Sequence, residues 1–357
     1  MIPLSINGVI IGLEITEMND FYQHIKDAKS PLIIAEIGAN YGGIDTVQEM
    51  VKSAAACGVD MVKFQTYSAE TIAKKGSFFT FEDGSKVSQF DFFKKNELSE
   101  EHHITLDNLC RDLNIAWTST PSHASDLDLL ERFNLPCYKT GSDDLTNLPF
   151  LKAIAEKGKP MLVSTGMCSL GEIEAAVDTI YSTGNLKLVL LHCVVSYPSQ
   201  IEDANLRVIN TLRNAFNIPI GLSDHTNDEF TSVLATQMGV VVIEKHFTLD
   251  HSLKLPDHEA SLDPVEFSKL VERVKLVPKA LGNGIKNIQA TEQKWRVAAR
   301  KSLFAAKDIP EQTVITDEYI EIRRPSEGIH PHYLPLILGR RAKTLIRAGT
   351  LIEWSMI

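Results

Sequence analysis

From residue 31 onward, short apolar runs alternate with longer stretches in which apolar residues recur every three or four positions. The runs at 31–36, 60–65, 115–118, 137–140, 160–165, 187–192, 219–223 and 240–246 are nearly continuous in hydrophobicity and mostly end on polar residues. Such runs predict strands covered on both faces, as in a parallel sheet. Segments 45–57, 125–133, 170–181, 203–216 and 228–237 carry the helical period between them, and 264–277 follows the eighth run. Eight β–α units predict an α/β fold of the TIM-type (β/α)8 barrel. A doubly wound open sheet is the alternative, but no Gly-x-Gly-x-x-Gly follows an early strand.

Two departures from the repeat stand out. The connection 66–114 is too long for a simple crossover and carries Gly76-Ser77-Phe78-Phe79-Thr80-Phe81-Glu82-Asp83-Gly84. An excursion of that kind above a barrel is expected to be a wall or lid of the active site, or else a packed loop. After Gly282-Asn283-Gly284 the pattern changes to a charged connecting helix and then a β-rich module. The expected layout is a catalytic barrel with an N-terminal hairpin at 1–285, a connecting segment at 286–299 and a small domain at 300–357. The hairpin reading rests on Asn7-Gly8 between two β-rich runs.

Charge supports the division. Residues 300–357 hold nine basic and seven acidic residues, a net of +2, against 27 basic and 39 acidic before them, a net of −12. The whole chain of 357 residues carries −10, which argues against a nucleic-acid binder. No apolar run approaches the roughly 18 residues of a membrane helix, and the N-terminus lacks the basic region of a signal peptide. Five scattered cysteines without a Cys-x-x-Cys spacing suggest reduced thiols in a cytoplasmic protein.

Active-site groups of a TIM barrel stand at the C-terminal ends of its strands. Those ends read Glu36, Lys63 and Gln65, Thr120, Lys139 and Ser142, Ser164, His192, Ser223 and His225, and His246. Lys63 and Lys139, with Ser142, Ser164 and Ser223, suit a phosphate or carboxylate. His225 and His246 end consecutive strands and suit a catalytic divalent metal, with His192 a possible third ligand of uncertain direction. Glu36 is a general base or, failing that, a counter-ion to a lysine.

The motifs Glu36-Ile37-Gly38-Ala39-Asn40, Val62-Lys63-Phe64-Gln65, Ser119-Thr120-Pro121, Tyr138-Lys139-Thr140-Gly141-Ser142 and Ser164-Thr165-Gly166-Met167 resemble those of sialic acid synthases. So do His192-Cys193 with Tyr197-Pro198, Gly221-Leu222-Ser223-Asp224-His225-Thr226 and Glu244-Lys245-His246-Phe247-Thr248. The last two are highly specific, and the C-terminal stretch is similar to the antifreeze-like SAF domain. The resemblance implies condensation of phosphoenolpyruvate with an open-chain N-acylated amino sugar and water, releasing phosphate and a nonulosonic acid. It implies phosphoenolpyruvate contacts at Lys63, Thr120, Lys139, Ser142, Ser164 and Ser223, and a base at Glu36. His225 and His246 would hold Mn2+, with Mg2+ or Co2+ as alternatives. Gln65, Tyr197 and Asp257 would meet the sugar, and Asp144 keeps the carboxylate of a family Glu. Arg324 would reach the acyl group from the partner of a domain-swapped homodimer.

Departures from the family pattern occur at Tyr41, His123, Asp143, Val194 and Val195. They leave N-acetylneuraminate, legionaminate and pseudaminate open as products. A non-catalytic sugar-binding or scaffolding relative is the competing class. The retained Glu36, Lys63, Lys139, His225 and His246 count against it, because binding alone requires neither a base nor an open metal site.

Overall fold

The computed structural model describes residues 21–357 except 39, 41, 81–83 and 252–257, so the expected Asn7-Gly8 hairpin, Tyr41 and Asp257 lie outside the described residues. The chain divides into a first compact unit ending at Gly282 and a second spanning Asn283–Ile357. The connecting segment therefore belongs with the C-terminal unit.

The first unit contains β1 (Leu32–Glu36), β2 (Met61–Thr66), β3 (Phe78–Thr80), β4 (Lys86–Ser88), β5 (Ala116–Pro121), β6 (Tyr138–Thr140), β7 (Met161–Ser164), β8 (Leu188–Cys193), β9 (Ile220–Asp224) and β10 (Val242–His246). Among the described residues, eight of these form one sheet in the order β5-β2-β1-β10-β9-β8-β7-β6. Its strand pairs are parallel. Thr118 Oγ1 on β5 donates to the Cys137 carbonyl beside β6 (2.8 Å), which joins the two ends of the sheet. This is the expected barrel, and each expected apolar run coincides with one of its strands.

Two of the longer helices around the barrel carry no clear sequence signal. Glu100–Asp112 is capped by Ser99, whose Oγ accepts from His102 N (3.2 Å) while the His102 ring accepts from Ser99 N (3.3 Å). A histidine replaces the Glu or Gln that normally marks such a box. Leu148–Ala155 is short and mostly apolar, so its buried stripe of Phe150, Leu151, Ile154 and Ala155 stands out little in the sequence. The long connection is likewise structured, with helix Ala69–Ile72, the β3–β4 hairpin and helix Gln89–Asn96 preceding Glu100–Asp112.

Period-two alternation sorts each barrel strand into two faces. Outward residues such as Ile33, Ala35, Val62, Phe64, Val163, Leu190, Leu222 and Ile243 pack with helix residues including Val47, Val51 and Phe267. Each such Val, Leu, Ile or Phe side chain contributes about 1.5–3 kcal/mol on full burial. Inward residues are apolar at the N-terminal end, where Leu32, Ile34, Met61, Leu162, Val189, Leu191 and Val242 pack with Phe21 and Ile25 of helix Phe21–Asp27. Gly221 is required there, because a Cβ would stand 2.4 Å from Leu191 Cδ2 and 2.8 Å from the Val242 carbonyl. The apolar plug closes one end, so the polar strand ends face the other.

In the second unit, β11 (Ser302–Ala305) pairs antiparallel with β12 (Ile320–Arg323). Isolated bridges at Phe304–Leu351, Ile309–Ile346 and Val314–Arg341 add to this pairing. It therefore holds less extended strand than a β-rich pattern suggests, and its turns wrap a core of Leu303, Ile309, Ile315, Ile337, Ile346 and Ile352.

Candidate active site

Alternation on β1 and β2 brings Glu36 and Lys63 onto the inner face, and the register sets them directly opposite each other. Glu36 Oε1 accepts from Gly38 N (3.0 Å) and Gln65 Nε2 (3.2 Å), while Oε2 meets the Lys63 ammonium. Gly38 holds φ at 76°, a conformation that disfavours side chains. Lys63 Nζ also donates to Thr120 Oγ1 (3.2 Å). On the far side, Lys139 Nζ donates to Ser164 Oγ (2.7 Å) and to the Thr140 carbonyl (3.0 Å). It lies 3.5 Å from Glu244 Oε1, which accepts from Ser223 Oγ (2.9 Å). Glu244 Oε2 accepts no hydrogen bond among the described residues.

Two carboxylates and two ammonium groups are thus buried together with no net charge. Burial pushes the Glu36 carboxyl up, against the pull of Lys63. Burial also opposes the charge on Glu244, but the Lys139 and Lys63 ammonium groups hold its carboxyl below the usual range. Burial works against Lys63 too, yet Glu244 and Glu36 keep its ammonium more basic than usual, whereas burial prevails at Lys139 and lowers it. A carboxyl with raised proton affinity beside a firmly charged ammonium is suited to taking a proton.

His225, immediately after β9, and His246, the last residue of β10, have ring centroids 5.3 Å apart. The Val194 carbonyl can only accept, so the 2.9 Å contact means that His225 Nδ1 carries the proton and Nε2 the lone pair. Burial lowers His225 to about 4 and His246 well below its ordinary value, so both rings are neutral near pH 7. Tyr197 stacks on His225 at 4.3 Å and meets His246 edge-on at 5.5 Å. Two neutral imidazoles, one with its tautomer set by a carbonyl, fit a divalent ion whose other positions go to water or substrate.

These groups line one cavity of about 440 Å3. Glu36, Lys63, Gln65, Thr120, Lys139, Ser142, Ser164, Tyr197, Ser223, His225 and His246 all border it. Ile72, Phe79, Phe92 and Phe93 from the long connection form an apolar side, so the excursion is a wall of the cavity. Phe92 packs edge-on against Phe79 (5.6 Å) and Phe93 (5.4 Å).

Other expected residues lie elsewhere. Asp144 turns its Oδ1 to Asn147 Nδ2 (3.0 Å), and Asp143 borders the cavity instead. Both sit in a 3-10 turn, Ser142–Asp144, where each step rotates the side chain by about 120°. His192 faces outward and its Nε2 bonds the Ala204 carbonyl (2.7 Å), so it stands apart from the histidine pair. Arg324 is an exposed residue of the second unit. Glu244 and Cys193, both lining the cavity, were not among the expected site residues. Glu244 had a usable signal, since a position two before His246 on a strand shares its face. His251, Asp263 and Glu266 also gather, but Asp263 and Glu266 form the capping box of helix Pro264–Leu281.

Residues 50–286 match the NeuB family and residues 300–357 the SAF domain. The N,N'-diacetyllegionaminic acid synthase of Campylobacter jejuni is 38% identical over 332 residues, covering 91% of this chain and 99% of that protein. The pseudaminic acid synthase of Helicobacter pylori is 35% identical over 326 residues, covering 90% of this chain and 96% of that protein. The solved N-acetylneuraminic acid (sialic acid) synthetase of Leptospira borgpetersenii is similar with a TM-score of 0.66 at 33% identity, covering 75% of this chain and 91% of that one.

Proposed function

The chain belongs to the NeuB family and is a nonulosonic acid synthase, and from this premise we propose which residues carry the condensation of phosphoenolpyruvate with an open-chain N-acylated amino sugar. The observation that supports the assignment is the buried set Glu36, Lys63, Lys139 and Glu244 at the floor of a cavity that also holds two neutral imidazoles. Lys63, Lys139, Thr120, Ser142, Ser164 and Ser223 bind the phosphate and carboxylate of phosphoenolpyruvate. His225 and His246 hold a divalent ion, Mn2+ in our reading, which supplies Lewis acidity toward the sugar aldehyde.

Carbon 3 of phosphoenolpyruvate attacks the aldehyde carbon, and water adds at carbon 2. Glu36 accepts one proton of this water and passes it to the oxygen of the former aldehyde, while the hydroxyl left at carbon 2 gives up its proton to the departing phosphate. The tetrahedral intermediate then expels phosphate and leaves a ketone at carbon 2. Lys63 and Lys139 stabilise the negative charge on the departing group. Gln65 and Tyr197, which border the same cavity, contact the sugar, a role that the family resemblance also gives to Asp257.

A homodimer in which each SAF domain caps the partner's barrel, bringing Arg324 to the acyl group, belongs to the same proposal. Supporting it, helix Gln293–Ala299 buries none of its residues, and Ile285 and Trp295 are 63% and 62% exposed. No helix among the described residues is long and apolar enough to cross a membrane. A cytoplasmic location suits the phosphoenolpyruvate substrate and the free state of all five cysteines.

Phosphate release from phosphoenolpyruvate across N-acetylmannosamine and 2,4-diacetamido-6-deoxy sugars tests the assignment. Release dependent on one of these acceptors is expected. No release with any acceptor, from folded protein supplied with Mn2+, would reject it.

A further inference from the structure

The two most specific motifs each contain a charged residue that the reaction does not use, Asp224 and Lys245. On β9, Ser223 lies on the cavity side and Asp224 on the opposite face; on β10, Glu244 and His246 border the cavity while Lys245 lies between them on the outer face. The strand register pairs Lys245 directly with Asp224. Their charged groups meet at 3.2 Å, with side chains 0% and 2% exposed.

Each group is saturated. Asp224 Oδ2 accepts from Thr231 Oγ1 (2.6 Å) and Ser232 Oγ (2.6 Å), and Oδ1 from Thr226 N (3.0 Å) and Thr226 Oγ1 (2.8 Å). Lys245 Nζ donates to the Thr226 carbonyl and lies 3.2 Å from Thr226 Oγ1. The pair therefore grips Thr226 by its amide, hydroxyl and carbonyl, on the residue immediately after His225. It also ties that turn to the start of helix Phe230–Gln237.

A buried ion pair of this kind contributes little net stability, since apolar replacements of similar volume are often neutral or better. What it does provide is a single geometry. We infer that Asp224 and Lys245 are positioning residues, which clamp the 224–226 turn on one strand to the His246 backbone on the next and so set the spacing of the two imidazoles. This rests on the reading of His225 and His246 as metal ligands. Groups that hydrogen-bond a metal ligand directly typically hold 10–100-fold of a site's metal affinity, and the same range is expected for a clamp that fixes the backbone beside both ligands.

The test is Mn2+ binding to the metal-stripped full-length protein, read from the electron paramagnetic resonance signal of free Mn2+. The double variant Asp224→Asn/Lys245→Met removes both charges at nearly constant volume. It is expected to bind Mn2+ 10–100-fold more weakly, with the KM for phosphoenolpyruvate preserved at saturating Mn2+. Thr231→Val deletes one hydroxyl from the network and is expected to weaken Mn2+ in the same direction by less. Wild-type Mn2+ affinity in both variants would overturn the inference while leaving the metal site standing. If the double variant does not fold, unchanged affinity in Thr231→Val alone overturns it. Failure of the wild-type protein to bind Mn2+ at all would remove the metal reading itself, and the inference with it.

Discussion

Glu36 and Lys63 face each other across adjacent strands β1 and β2, with side chains only 1% and 6% exposed. Because Gly38 and Gln65 hold the other carboxylate oxygen, the Glu36 side chain has one fixed orientation. Glu36→Gln keeps that shape and removes the proton acceptor. We expect phosphoenolpyruvate to bind and kcat to fall by roughly 10²–10⁴-fold. A kcat near wild type in steady-state assays would reduce Glu36 to a counter-ion of Lys63.

Glu244 balances Lys139 in the floor of the cavity. Removing one partner of a buried pair typically costs about 3–5 kcal/mol, so Glu244→Gln is expected to lower the melting temperature clearly. Phosphoenolpyruvate supplies negative charge to the same lysines, and its addition should narrow the gap to wild type. Differential scanning fluorimetry with and without phosphoenolpyruvate measures both effects. A variant that melts with wild type under both conditions would show that this carboxylate balances nothing.

Both imidazoles are neutral and border the cavity, so activity is expected to require a divalent ion. Chelation should abolish turnover and Mn2+ restore it, and His246→Ala should lose activity with circular dichroism unchanged. Full turnover in a preparation shown by elemental analysis to be metal-free rejects the site.

The apolar wall predicts a separation of the two substrates. Phe92→Ala removes the ring packed between Phe79 and Phe93. An aromatic contact of about 1.4 kcal/mol corresponds to roughly a tenfold rise in the KM of the sugar acceptor, with the KM of phosphoenolpyruvate unchanged. Equal effects on both KM values, or none on either, would remove the wall from acceptor binding.

The domain-swapped arrangement predicts complementation. Arg324→Ala and Glu36→Gln homodimers should each be inactive. Mixed dimers pair an intact barrel from the first with an intact cap from the second. Random one-to-one exchange should therefore recover roughly a quarter of wild-type sites for a symmetric pair. No recovery, with subunit exchange confirmed by mass, rejects the swap.

The barrel was legible because its signal is local. A strand buried on both faces must be apolar along its length, and its polar end announces the cavity, so Glu36, Lys63, Lys139, Ser164, Ser223 and His246 could be read in order. What one sequence by itself did not determine was parity, the face of the strand that each residue takes. His192 and Cys193 are neighbours, yet only Cys193 borders the cavity, while His192 bonds Ala204 on the outside. The same one-residue step separates Glu244 and His246 from Lys245, while in the 3-10 turn Ser142–Asp144 a step of about 120° exchanges Asp143 for Asp144. Parity follows from the sheet register and from which face the helices cover, and both depend on contacts between residues far apart in the chain. Composition and period therefore determined that a polar cavity exists and which strands feed it. Only the tertiary structure decided which charges meet inside it, and that Asp224 and Lys245 meet behind it.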